Sequence, residues 1–232
     1  MRKIEWFNAD ELVHEAQKKI NQVNIVLDVG CGIRPQRLTR TFIHVCVDAH
    51  KQYLAVLKDR IITDKGIRGR LKYLYVNTIV DKIIKLFPDK SFDSIFLLDV
   101  IEHLEKQKGL DLINSFKKIA RHQIVIFTPI GFVKQEHPDG KDAWGLDGGT
   151  WQEHKSGWTP EDFDDSWEFV ACKAFHKATN LGESIEIPVG AFFAIKTVND
   201  PPSLINQRNF IIRVLFWLKS FLFYNKLKKL IK

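Results

Sequence analysis

Only three cysteines stand in the 232 residues, Cys31, Cys46 and Cys172, an odd number without the paired spacing of a zinc site or a disulfide framework. Their scarcity and wide separation point to a reducing compartment. Internal repeats and low-complexity tracts are absent. No H-x-x-x-H pair or clustered acidic set announces a required metal, so none is expected, and chelators should leave any activity untouched. The first twenty residues carry charges throughout and no apolar core of seven or more, which excludes a secretory signal and leaves a cytoplasmic protein as the expectation.

What is present suits a single folded domain: 45% hydrophobic residues with 12% aromatics is ordinary for an α/β protein of this length. Charge becomes informative when located. The chain carries 35 basic and 28 acidic side chains, yet residues 203–232 hold Arg208, Arg213, Lys219, Lys226, Lys228, Lys229 and Lys232 with no acid at all. The remainder is balanced, which argues against a nucleic-acid enzyme with a broad basic face.

Ile25, Val26, Leu27 and Val29 form a short, β-branched apolar run that reads as a central parallel strand, interrupted by Asp28 just before Gly30 and Gly32. Those glycines allow a sharp turn with a ligand lying against the main chain at the strand's carboxyl end. A dinucleotide fingerprint needs a third glycine where Pro35 stands, and Asp28 would repel a phosphate. A carboxylate beside this turn suits a cofactor with an ammonium group and no phosphate, the character of S-adenosylmethionine. A second strand, Phe42 to Val47, ends in Asp48, about twenty residues after the turn, where an acid can accept both ribose hydroxyls.

A further strand, Ile95 to Leu98, has Asp99 at its tip. The segments D-V-G-C-G, V-C-V-D-A and F-D-S-I-F-L-L-D-V-I-E-H-L resemble the cofactor motifs of class I S-adenosylmethionine-dependent methyltransferases. The D-V-I-E-H-L form and the later H-K-S-G-W-T-P-E-D-F resemble small-molecule members associated with surface polysaccharide synthesis. The resemblance runs from about Val23 to Lys196 and departs from the usual pattern at Arg34, where a small residue is common. It implies a Rossmann-like α/β fold: a seven-stranded, mostly parallel sheet with an antiparallel last strand and helices on both faces. It also implies S-adenosylmethionine as cofactor, held by Asp28, Gly30, Cys31, Gly32, Asp48 and Asp99. Asn77, at the end of a strand from Tyr73, falls where the family often contacts the adenine amine; its alternative is a strand-end cap.

Between Pro129 and a helix expected to begin at Pro160 lies an insertion of roughly thirty residues, long enough to be functional. Trp144, Trp151 and Trp158 stand in it among carboxylates and amides, an arrangement suited to a polyhydroxylated ligand such as a sugar, or else to anchoring the loop on the core. A hydroxyl acceptor benefits from a base. His154 is the first candidate and His137 the second; His103 is a third, with a structural role in its turn as the alternative.

The Asp10–Ile20 segment reads as an amphipathic helix with Leu12, Val13, Ala16 and Ile20 on one side. Pro201 and Pro202 divide a methyltransferase domain, residues 1–200, from a basic amphipathic helix, residues 203–232. That tail interleaves aromatic and basic residues, fitting either the inner membrane interface, its own core or a partner. The expected activity is methyl transfer to a saccharide or glycolipid-precursor hydroxyl. The alternatives are a quinone or other lipid-soluble acceptor, and a scaffold that keeps the fold without the chemistry.

Overall fold

The computed structural model describes residues 3–63, 72–135 and 137–198; the expected tail helix, 203–232, lies outside them. Eight strands form one sheet: β1 (Lys3–Trp6), β2 (Ile25–Val29), β3 (Ile43–Asp48), β4 (Lys72–Asn77), β5 (Phe92–Leu98), β6 (Ala120–Pro129), β7 (Glu168–Ala178) and β8 (Ser184–Thr197). Their spatial order is β1-β7-β8-β6-β5-β2-β3-β4. Only β8 runs antiparallel to its neighbours. The sheet is therefore Rossmann-like and mostly parallel, with helices α1 (Leu12–Lys19), α2 (Lys51–Thr63), α3 (Val80–Leu86), α4 (Lys106–Ile119) and the short α5 (Gly149–Gln152) packed around it.

Strands β2 and β3 are buried along their whole length, as their β-branched runs require. Leu12, Ala16 and Ile20 pack against Val26, Phe96 and Val125 of the central strands. Leu54 and Leu57 of α2 pack on Cys31 and Cys46. Three expectations need correction. The sheet has an eighth strand, because Lys3–Trp6 pairs in parallel with β7 at the edge, and four residues of mixed polarity gave no strand signal. Val13 lies 42% exposed, one position off the apolar stripe that Leu12 and Ala16 define. The helix expected at Pro160 is a single 3-10 turn, Pro160–Asp162, closed by reciprocal capping between Thr159 and Asp162.

Chain order reverses across the β2/β5 pair, since β3 follows β2 on one side and β6 follows β5 on the other. In open α/β sheets ligands bind at the carboxyl ends of strands flanking such a reversal. The tips of β2, β3 and β5 carry Gly30, Asp48 and Asp99 there.

Candidate active site

Gly30 and Gly32 both take positive φ, +64° and +55°. A Cβ on Gly30 would stand 2.6 Å from Val100 Cγ2, and one on Gly32 2.9 Å from Trp144 Cη2, so the turn has neither conformational nor spatial room for a side chain. Asp48 braces it from the next strand: its Oδ2 accepts the Gly32 N–H at 2.9 Å and its Oδ1 the His50 N–H at 2.8 Å. Burial raises the Asp48 pKa, and those two N–H donors oppose the rise. Cys31 is buried in the turn, its thiol pushed well up by a hydrogen bond with Cys46 and by burial.

Asp28, expected beside the cofactor, is engaged by its own fold. It is 2% exposed, and one carboxylate oxygen, Oδ2, takes both the Gln36 N–H at 2.8 Å and His44 Nε2 at 2.9 Å. It borders neither of the two cavities at this edge. The physical reason is register: Asp28 pairs with Cys46, which puts His44, two residues earlier in β3, on the same face. Burial disfavours a charged His44, but the bond to Asp28 outweighs it and pushes the imidazole up to about 10. Asp28 thus clamps the far end of the glycine turn through Gln36. Asn77, exposed at the end of β4, donates from Nδ2 to the Asp48 and Ala49 carbonyls at 2.9 Å each, and it too borders neither cavity.

Asp99 follows β5 with φ +53°, a conformation asparagine and aspartate tolerate better than other side chains. It opens onto both cavities and keeps an exposed surface there; desolvation by the surrounding walls raises its pKa to about 6, with neighbouring Glu102 opposing the rise. Glu102 is buried in the 3-10 turn Ile101–His103; burial and then the Asp99 charge raise its pKa strongly, while Oε2 accepts the Thr128 hydroxyl at 3.1 Å. Its backbone carbonyl accepts the N–H groups of Lys155 and Ser156, at 2.7 and 3.1 Å. The H-K-S-G-W segment is thereby fastened to the cofactor-side turn.

The two imidazoles follow from that fastening. His103 Nδ1 donates to the Glu153 carbonyl at 3.2 Å and His154 Nδ1 to the Val133 carbonyl at 2.6 Å, because a carbonyl can only accept. Each ring then keeps Nε2 as a lone-pair nitrogen, and the rings stand 4.9 Å apart. Burial, followed by the neighbouring His154, lowers His103 to about 4; burial also lowers His154. His137 is placed differently: its Nδ1 bonds the Lys141 carbonyl, its Nε2 faces Gln135, and it borders neither cavity, so both ring nitrogens serve the loop.

One cavity of about 320 Å³ is lined by Asp48, Tyr53, Ile79, Val100 and Trp151, and a second of about 480 Å³ by Cys31, Gly32, Glu102, Trp144 and His154. Gly30, Asp99, His103 and Gln152 border both. A hollow of about 780 Å³ beside Trp6 and Lys173 holds none of these groups, and its size alone gives it no chemistry. The three insertion tryptophans divide. Trp144 and Trp151 are 42% and 47% exposed and each borders a cavity, whereas Trp158 is fully buried, its Nε1 bonded to Ser156 and its ring against Lys106. Asp142 orders the loop, accepting the Tyr53 hydroxyl and the N–H groups of Trp144 and Leu146. Sequence reasoning passed over Tyr53, Thr128 and His44; the signal for His44 was a polar residue inside a buried strand, diagonal to the acid of the adjacent buried strand.

Residues 27–123 match the family model described as a methyltransferase domain. No curated protein matches the chain. Among solved structures, an S-adenosylmethionine-dependent methyltransferase from Methanosarcina mazei superposes with a TM-score of 0.55 at 12% identity, covering 78% of this chain and 96% of its own. A methyltransferase of Bacillus halodurans, named in its description only as a candidate one, gives 0.54 at 12% identity, with 82% and 100% covered. TehB from Haemophilus influenzae gives 0.51 at 17%, with 79% and 61% covered. Residues 27–123 thus match a methyltransferase domain, and the sheet that holds them has the fold seen in S-adenosylmethionine-dependent methyltransferases.

Proposed function

We propose that this S-adenosylmethionine-dependent methyltransferase transfers its methyl group to a hydroxyl of a saccharide or glycolipid precursor. One observation supports the reading most: two adjoining cavities share Gly30, Asp99, His103 and Gln152, one reaching the ribose-type acid Asp48 and the other lined by Trp144 and His154. The first suits the nucleoside of the cofactor. Its amino-acid end would lie at the glycine turn and Asp99, which puts the reactive methyl at the shared border. Displacement at a sulfonium methyl gains chiefly from alignment and electrostatic fit.

The acceptor side pairs an exposed indole with an amide and an imidazole, Trp144, Gln152 and His154, which suits the C–H faces and hydroxyls of a sugar. Residues 203–232 favour an acceptor at a lipid surface, since their six aromatics and seven cations without an acid fit an anionic interface. No helix among the described residues is long and apolar enough to cross a membrane. A quinone-like acceptor is the second reading that this tail supports.

Calorimetric titration with S-adenosylhomocysteine tests the donor half. Micromolar binding that disappears in Asp48→Ala is expected; an intact protein that binds none would favour a scaffold. Product analysis with saccharide and quinone acceptors then tests the acceptor half.

A further inference from the structure

Glu102, His103 and His154, which line the cavity of about 480 Å³, each offer one ligand atom, and these atoms all lie within 4.8 Å of one another. Donors sharing one divalent cation at about 2.1 Å stand roughly 3 to 4 Å apart, a separation that small side-chain adjustments reach from here. Two independent features distinguish this set from an accidental cluster.

The first is Glu102 itself. It is 2% exposed, its Oε2 is bonded to Thr128, and its Oε1 has no hydrogen-bond partner. A buried carboxylate oxygen left unmatched is costly, and it faces the cavity where the two imidazoles stand. The second is the histidine tautomers. Nδ1 of each ring donates to a backbone carbonyl, Glu153 for His103 and Val133 for His154, which fixes Nε2 as the lone-pair nitrogen. Proteins orient metal-binding histidines in this way. Asp99, which borders the same cavity, adds a second carboxylate beside the set.

The geometry points to a divalent first-row transition cation held by Glu102, His103 and His154 at the acceptor end of the cavity. Two imidazoles with a carboxylate favour Mn²⁺ or Zn²⁺ over the all-oxygen preference of Ca²⁺. The linear sequence hides the set because His154 comes from the insertion and meets the other two only through the bonds from Lys155 and Ser156 to the Glu102 carbonyl.

The role of the ion rests on the methyl-transfer reading. An acceptor hydroxyl bound to the cation loses its proton to cavity water. The oxygen then forms a bond to the sulfonium methyl carbon as the C–S bond breaks, and that electron pair stays on sulfur, leaving a methyl ether and a neutral thioether. No electron is exchanged with the cation. In this arrangement His154 holds the metal and does not take the proton.

The test is Mn²⁺ titration of the full-length protein, followed by the loss of the free-ion electron paramagnetic resonance signal, with S-adenosylhomocysteine calorimetry on the same samples. One Mn²⁺ per chain is expected, bound at least about tenfold more weakly by Glu102→Gln and by His154→Ala. Should Glu102→Gln fail to fold, His154→Ala, at a partly exposed position, decides alone. No uptake at millimolar Mn²⁺, or uptake unchanged in the folded variants, overturns the assignment. Cofactor-product binding in those samples reports separately whether the methyltransferase reading stands.

Discussion

Replacing Asp28 by asparagine removes the charge that holds a buried imidazolium while keeping an oxygen for the Gln36 N–H. In the folded protein His44 sits near a pKa of about 10 against an ordinary 6.5, a difference worth about 5 kcal/mol when fully expressed. The folded pKa is the raised one, so this stabilisation is complete below pH 6.5 and is lost as pH climbs through 10. Between pH 6 and 9 the wild type should lose about 3 kcal/mol from this pair, or about 10 °C in Tm for a domain of this size. With Asp28→Asn the imidazole is held neutral by its burial and that slope vanishes, at a cost near neutral pH of about 3–5 kcal/mol for breaking a buried pair. Urea unfolding of both proteins across pH 6 to 9 isolates the pair as the difference between two curves. Parallel curves, or a variant within about 1 kcal/mol of wild type at pH 7, would refute the argument. Calorimetry on the same variant separates two roles: a clamp behind the turn changes S-adenosylhomocysteine affinity only a few-fold, whereas a direct ammonium partner would cost far more.

The other expected outcomes are more local. His154→Ala should lower turnover by about 10²- to 10⁴-fold with S-adenosylhomocysteine affinity intact, and unchanged steady-state rates would remove the residue from the mechanism. Gly109→Ala would place a Cβ 2.5 Å from the buried Trp158 ring and should destabilise by about 1–3 kcal/mol in thermal melts; a neutral variant would mean the ring has room to shift. Gly32→Ala combines positive φ with a 2.9 Å approach to Trp144, so S-adenosylhomocysteine affinity should fall at least about tenfold, and retained affinity would show that the turn tolerates a side chain. Full-length protein should float with anionic liposomes and a 1–202 truncation should not; identical behaviour would dismiss the lipid-surface role of the tail.

The glycine turn, the acid at the tip of β3 and Asp99 were legible in the sequence because each sits where a buried apolar run stops, a purely local event. The partners of Asp28 were not legible, for an equally physical reason. Its neighbours along the chain describe a ligand site, while its partner His44 is set by strand register, which a linear pattern does not display. The tryptophans show the same division: composition marks all three as suited to a ligand, and only packing separates buried Trp158 from Trp144 and Trp151 at the cavities. Strand β1 escaped notice because an edge strand of four residues has one neighbour and no apolar run to announce it. Glu102 and His103 were visible as a pair, but their convergence with His154 depends on a contact between segments far apart in the sequence.

That contact, the Glu102 carbonyl shared by the Lys155 and Ser156 N–H groups, bears on how such proteins diversify. A transplanted insertion would arrive without its anchor unless the turn after β5 travelled with it. The two segments form one heritable module, and recombination or engineering aimed at a new acceptor should exchange 99–104 together with 130–158, leaving the glycine turn and its Asp28 clamp in place.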